Sequence, residues 1–198
     1  MNKTSTELNK EVFDNIQITS QENMILKSLE KFYTIDDNIN LFMSIVNTNS
    51  NISIRLIDYF ITKYSKTHRV SYKHNEESIN IYTSYKQQLK AFQKKHFDPF
   101  SRGDRVPYFM GNMCIITTIG QLNFFRWFIS KNIIEYIVSN QLSIENDMNY
   151  KNKLEKKTTK IVTKMKKKNM KTQIPFNKPV YNATKCYVQP TSIIVSFN

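Results

Sequence analysis

Between Thr118 and Ile129 the chain reads Ile119, Leu122, Phe124, Phe125, Trp127, Phe128 and Ile129, with apolar residues on nearly every side of a helix. Such a helix cannot rest on a surface. It has to be the centre on which other elements pack. Thr118 and Gln121 have the spacing that starts a helix, and Lys131-Asn132 breaks it. Ile133, Ile134, Tyr136, Ile137 and Val138 continue as a second piece that ends near Asn140. A helix-turn-helix fits this pair poorly, because a recognition helix needs polar residues facing the groove. Ile133 to Val138 offers only Glu135, with Ser139 beside it. The apolar run is also too short for a membrane span, and no stretch of the chain reaches the ~20 apolar residues required.

The remaining elements follow from periodicity. Residues 1–18 are polar and read as frayed, without the apolar core and cleavage site of a signal peptide. Thr19 and Glu22 open a helix with Met24, Ile25, Leu29 and Phe32 on one face. Asp36 or Asp37 caps a second helix carrying Leu41, Phe42, Ile45 and Val46. Ser53 caps a third, with Leu56, Phe60 and Tyr64 at i+4 and Ile57 and Ile61 widening the stripe. The period then changes to two. Arg69 to Lys73 and Ile79 to Ser84 read as a hairpin around Asn75-Glu76-Glu77-Ser78. Ser84 and Gln87 start a helix with Tyr85, Leu89, Phe92 and His96 inward, which ends at Asp98-Pro99. Val106 to Met110 pairs with Cys114 to Thr117. From Ser143 to Lys171 the pattern fits a weak basic helix and a disordered segment equally well. Thr191 to Phe197 alternates like a strand that docks on the hairpin or on a partner.

Lysine is clustered. Residues 151–198 hold 12 Lys and one acid, Glu155, whereas residues 1–150 carry only +2 of the net +13. The 22 Asn, 24 Ile and 24 Lys against 5 Arg are what an AT-rich genome produces, but codon drift does not cluster charge. Lys164, Lys166, Lys167, Lys168 and Lys171 therefore read as a sequence-independent phosphate contact. A second cluster lies on the folded part. From Lys63 to Arg105 there are 10 basic residues and 4 acids, interleaved with Tyr64, Tyr72, Tyr82, Tyr85 and Phe92. Lys86, Lys90, Lys94, Lys95, Arg102 and Arg105 are its candidate contacts. Most of the tyrosines pack the hairpin, leaving Tyr72 or Tyr82 to reach solvent. Arg126, inside the apolar helix, is expected to pair with a core acid.

Catalytic patterns are scarce. Three glycines cannot build a phosphate-cradling loop. His68, His74, His96, Cys114 and Cys186 match no compact metal-ligand spacing, so no metal and no cofactor is expected. Cys114, in an apolar run, reads as a buried small hydrophobe. With two thiols only, the reducing cytosol or nucleus is the expected compartment. Segment 97–105 concentrates Asp98, Arg102, Asp104 and Arg105 between aromatics and reads as a turn pinned by Phe97 and Phe100. The Arg-Gly-Asp within it is read as chance.

Tyr85-Lys86-Gln87-Gln88-Leu89-Lys90, Phe97-Asp98-Pro99-Phe100 and the run from Thr117 through Ile119-Gly120-Gln121-Leu122-Asn123-Phe124-Phe125-Arg126 to Trp127 resemble an uncharacterised family of nucleocytoplasmic large (giant) DNA viruses. The resemblance spans about 52–142. Cys186-Tyr187-Val188 and Val195-Ser196-Phe197 resemble the same family's end. The chain departs from it at Ser101 to Arg105, where the family is more basic and often opens with Cys, and at Asn198, where it has Asp. The resemblance implies a viral context, in a cytoplasmic viral factory or the virion with the host nucleus as an alternative, and no activity.

Together these readings predict an α+β protein in three parts. They are a helical segment 1–51, an α+β core 52–142 with a hairpin on two apolar helices, and a basic extension 143–198 with a terminal strand. The leading function is non-enzymatic binding of DNA or RNA, without a membrane and with another viral protein as a further partner for the terminal strand. The alternatives are a virion scaffold binding an acidic protein surface, and a metal-dependent nucleic-acid-processing enzyme using Asp98 and Asp104.

Overall fold

In a computed structural model the described residues are 4–47, 51–111 and 113–171, with side chains as far as 158. They divide into two compact units, Met1–Leu154 and Glu155–Asn198. The expected strand at Thr191 to Phe197 lies outside the described residues.

Residues 5–14 are helical rather than frayed. Helix α1 (Ser5–Asp14) is fixed by a capping box in which Thr4 Oγ1 accepts from Glu7 N–H and the Glu7 carboxylate accepts from Thr4 N–H. Its inner face is Asn9 and Phe13, one polar and one apolar, so apolar periodicity alone does not reveal it. Helix α2 (Ser20–Phe32) starts at the Thr19–Glu22 box as expected. Its inward face is Ile25, Leu26 and Leu29, continued by Tyr33, while Met24 points out at 68% exposure. Helix α3 (Asp36–Val46) buries Ile39, Phe42 and Ile45. Its N-cap is Ile35 with no side-chain cap, and Asp36 and Asp37 lie in the first turn, where they favour the positive end of the dipole.

Ser53 does cap α4 (Ile54–Tyr59), accepting from Leu56 N–H at 3.2 Å. The helix then widens into a π-helical turn, Phe60–Tyr64, before α5 (Ser65–Thr67). Across the junction, consecutive Tyr59, Phe60 and Ile61 are all buried.

The described residues form two small antiparallel hairpins, as the two expected pairings require. Strand β1 (Ser71–His74) pairs antiparallel with β2 (Glu77–Asn80), joined by Asn75 and Glu76, both at positive φ. The second strand is shorter than expected. Asn80 Oδ1 accepts from Thr83 N–H at 2.9 Å and so caps α6 (Ile81–Phe92), which pre-empts the Ser84–Gln87 start. The helix also ends earlier than Asp98-Pro99, because Gln93 adopts φ 57 and leads into a 3-10 turn, Lys94–His96. Strand β3 (Val106–Met110) pairs antiparallel with β4 (Met113–Thr117) in the expected region. Gly111, at φ 54, makes the turn between them.

Helix α7 (Ile119–Ser130) is the centre. Ile119 to Phe125, Trp127 and Phe128 are all buried. Phe124 meets Phe97, Phe125, Trp127 and Phe128 with ring centroids 5.2–6.4 Å apart, and Phe42 of α3 meets Phe125 at 5.4 Å. Asn132, at φ 51, breaks the chain as expected. Helix α8 (Ile133–Lys171) kinks at Asn140 but does not end there, and of the two readings of 143–171 the helical one holds for the backbone. Asp147 of α8 accepts from Tyr59 Oη at 2.6 Å and meets Lys151 Nζ at 3.0 Å, which ties the helix to α4. The first hairpin leans on α8 as well. Tyr72 Oη donates to Lys131 O at 2.5 Å, and its ring lies 6.0 Å from Tyr136.

Candidate nucleic-acid interface

The start of α7 is built to hold another piece of chain against it. Gly120 has no side chain because none fits: a Cβ there would lie 2.8 Å from Lys95 O and 3.4 Å from Phe97 N. Buried polar side chains on the same helix then grip the segment that crosses it. Asn123 Nδ2 donates to His96 O at 2.9 Å, and Gln121 Nε2 donates to Pro99 O at 2.9 Å. Gln121 Oε1 accepts from Thr117 Oγ1 at 2.8 Å, while Asp98 N–H reaches Gly120 O at 3.2 Å. Gly120, Gln121 and Asn123 therefore hold residues 96–99 as a shelf over the N-terminus of α7.

A second clamp comes from α2. Glu22 Oε1 accepts from His96 Nε2 at 2.9 Å and from Lys95 Nζ at 3.1 Å. Burial alone would raise the pKa of this carboxyl. Hydrogen bonds from Thr19 N–H, His96, the Thr19 hydroxyl and Lys95 outweigh it and hold the value down at about 2.

On the outside of this shelf is a cleft of about 310 Å³, lined by Lys94, Lys95, Asp98, Phe100, Arg102, Gly103 and Thr118. Three of the basic residues singled out from the sequence, Lys94, Lys95 and Arg102, thus meet at one opening. Lys86 and Lys90 are exposed one turn apart on α6, and Arg105 is exposed just before β3 without lining the cleft. Lys164, Lys166, Lys167, Lys168 and Lys171 lie on the helical backbone of α8, and their side chains are outside the described residues.

Within the cleft Arg102 is fixed. Nε donates to Asp98 Oδ2 at 3.0 Å and Nη2 to Asp98 Oδ1 at 2.5 Å. The guanidinium carbon sits 4.9 Å from the Phe100 ring centroid. Those hydrogen bonds, with the Asp98 charge, raise the Arg102 pKa further. Near enough to feel the charges of Asp98, Arg102 and Lys94 is a residue the sequence did not single out, Asp58 on α4. Burial raises its pKa and the Asp98 charge adds to this, against Arg102, Lys63 and Lys94.

Several expectations change. Cys114 is exposed rather than buried, because it shares the outward face of the β3–β4 hairpin with Ile116. Arg126 does not find a core acid. Its Nη1 bonds Ser28 Oγ at 2.5 Å and its Nη2 bonds Asn123 Oδ1 at 3.0 Å, and burial lowers its pKa. Neither Tyr72 nor Tyr82 stands free in solvent. Both are half-buried, and Lys66 lies over the Tyr82 ring at 5.5 Å. Among the described residues no group of three His, Cys, Asp or Glu side chains gathers as a metal site. Among the same residues no helix is long and apolar enough to cross a membrane.

The packing defines an α+β protein in which a central apolar helix presents a basic cleft. The chain matches a family of unknown function (DUF7197) over residues 3–194 and belongs to it. It is 35% identical over 171 residues to the uncharacterized protein L507 of Acanthamoeba polyphaga mimivirus, an alignment covering 81% of this chain and 63% of that relative. The chain thus spans less than two thirds of that relative's length. The giant-virus resemblance read from Tyr85 to Trp127 holds, and the chain is a viral protein. No solved structure matches it.

Proposed function

We propose that this viral protein binds nucleic acid without transforming it, in genome organisation, packaging or transcription. The observation that carries the reading is the distribution of charge. Of the net +13, +9 falls in Glu155–Asn198 and +4 in Met1–Leu154. Within α8, the stretch 155–171 carries Lys156, Lys157, Lys160, Lys164, Lys166, Lys167, Lys168 and Lys171 along its helical backbone with a single acid, Glu155. Lysines in that density displace condensed counterions from a phosphate backbone, which gives affinity without sequence preference. Lys94, Lys95 and Arg102 add a folded contact. Its field is modest, because Asp98 and Glu22 offset part of it. In this reading the protein works in the cytoplasmic viral factory or the virion.

The test is fluorescence anisotropy of the full chain with duplex DNA and single-stranded RNA across a salt series. The fourfold variant Lys166→Gln, Lys167→Gln, Lys168→Gln and Lys171→Gln is measured beside it. Each phosphate contact contributes roughly 0.9 to the log–log salt slope on duplex and roughly 0.7 on a single strand. The variant is expected to lower the duplex slope by up to about 3.6, one contact for each of the four lysines. Absence of binding at low salt overturns the proposal.

A second reading, a scaffold that joins another viral protein, draws on β4. On β3, Phe109 N–H donates to Asn9 Oδ1 at 2.7 Å and Phe109 O accepts from Asn9 Nδ2 at 2.8 Å, so that edge is capped by α1. The outer edge of β4 has no such partner among the described residues, and its Ile116 is 63% exposed. An uncharged open edge of this kind accepts an added strand. Binding of a protein partner with no response to added nucleic acid would favour this reading.

A further inference from the structure

Lys94 carries its charge on a flexible stem and Lys95 is drawn to Glu22 at 3.1 Å, but Arg102 is pre-organised by two contacts of its own. Asp98 holds its guanidinium edge at two points and Phe100 backs one of its faces, yet the side chain remains 68% exposed. This arrangement restricts what Arg102 can recognise. An arginine has two donor edges for bidentate contacts, and here Asp98 occupies the Nε–Nη2 edge, which leaves the Nη1 donors outward. Beside those donors Arg102 offers a flat, cationic, solvent-facing surface held next to an aromatic ring. Such a surface stacks on another flat π-system.

Inside a duplex both faces of a base are covered by neighbours, whereas an unpaired base has a face to give. Lys94 and Lys95 line the same cleft, within reach of the phosphates that flank a stacked base. The cleft volume of about 310 Å³ lies at the small end of the range for ligand pockets, suited to one ring system rather than to a helix.

We propose that Phe100 and Arg102 form a stacking platform for one unpaired base, so that the cleft takes single-stranded nucleic acid and not duplex. This rests on the nucleic-acid reading above and names its substrate class. Asp98 acts as a positioning residue that keeps the guanidinium plane open.

The test uses the full chain and three fluorescein-labelled ligands at one low salt concentration: an oligodeoxyadenylate 12-mer, the same backbone with abasic sites throughout, and a 12-base-pair duplex. One stacked base is worth about a tenfold difference in affinity, so the wild-type protein is expected to bind the adenylate strand roughly tenfold tighter than the abasic strand. Arg102→Lys keeps the charge and loses the plane. It is expected to bring the adenylate strand to the abasic level, a loss larger than any it causes on the abasic strand or the duplex. Phe100→Leu is expected to do the same, and far-UV circular dichroism checks that each variant is folded. Equal affinity of wild type for adenylate and abasic strands overturns the platform, as does an equal loss on all three ligands in Arg102→Lys. If wild type binds none of the three, the nucleic-acid reading itself has failed and the platform with it.

Discussion

Glu22 is the joint between α2 and the shelf under the cleft, and its charge is the perturbation to test. Its carboxyl has a pKa of about 2 in the folded chain against 4.5 for the free group. The folded value is the lower one, so ionised Glu22 stabilises the fold above pH 4.5. That contribution is lost as the pH falls toward 2. The difference between the two values corresponds to at most about 3.4 kcal/mol. Lys95 is 60% exposed, so solvent screens its share, and about 2 kcal/mol is the more realistic contribution. Glu22→Gln removes the charge while keeping an oxygen acceptor for the Thr19 cap. Urea unfolding at pH 7 is therefore expected to show the variant about 2 kcal/mol less stable than wild type. By pH 3 more than half of that gap should have closed, because the unfolded wild-type chain has by then taken up the proton that the folded chain still resists. A gap that stays constant from pH 7 to pH 2 would refute the reasoning. It would mean that the variant's loss comes from packing and that the carboxylate is not held by its four donors.

Two further substitutions test the supports of the fold. Gly120→Ala gains about 1 kcal/mol of helix propensity but sets a methyl 2.8 Å from Lys95 O, which is backbone and has little freedom to yield. Thermal melts are expected to show a net loss of about 1–2 kcal/mol, and an increase in stability would show that the shelf is looser than drawn. Asn9→Leu leaves Phe109 N–H and C=O without their partner, at a cost of about 2 kcal/mol. Amide exchange at Phe109 should speed up more than at the other β3 amides, and uniform acceleration along the strand would disprove the local cap.

The apolar centre was legible because its signal is local. The run from Ile119 to Phe128 leaves no solvent face, and Thr118, Thr19 and Ser53 announce their helices within three residues. What was misread involves partners far apart in sequence. Asn9 looks like a surface residue until Phe109, a hundred positions on, turns out to be its partner. Glu22 looks like a cap and nothing more until His96 and Lys95 reach it. The boundary of α6 was missed for a local reason. Asn80 and Ser84 both suit an N-cap, and β1 has only four residues to pair, so the earlier cap prevails. Lys94, Lys95 and Arg102 were legible as basic residues, but their convergence depends on the reversal at Gln93, which no residue pattern announces.

This uneven charge separates two roles under the proposed function. The Met1–Leu154 unit carries only +4, and at the cleft Arg102 is paired to Asp98 and Lys95 to Glu22. A cleft compensated in this way exerts little attraction beyond a Debye length of about 8 Å. Long-range capture of a polyanion has to come from the +9 of Glu155–Asn198, whose lysines in 155–171 face a single acid. Discrimination between ligands then has to come from the cleft, where contacts are short and directional. Lysine-to-glutamine changes at 164–171 should accordingly slow association and flatten its salt dependence. Changes at Phe100 and Arg102 should leave association alone and speed dissociation of the single strand. Stopped-flow traces in which both sets of variants alter the same rate constant would show that one surface does both jobs.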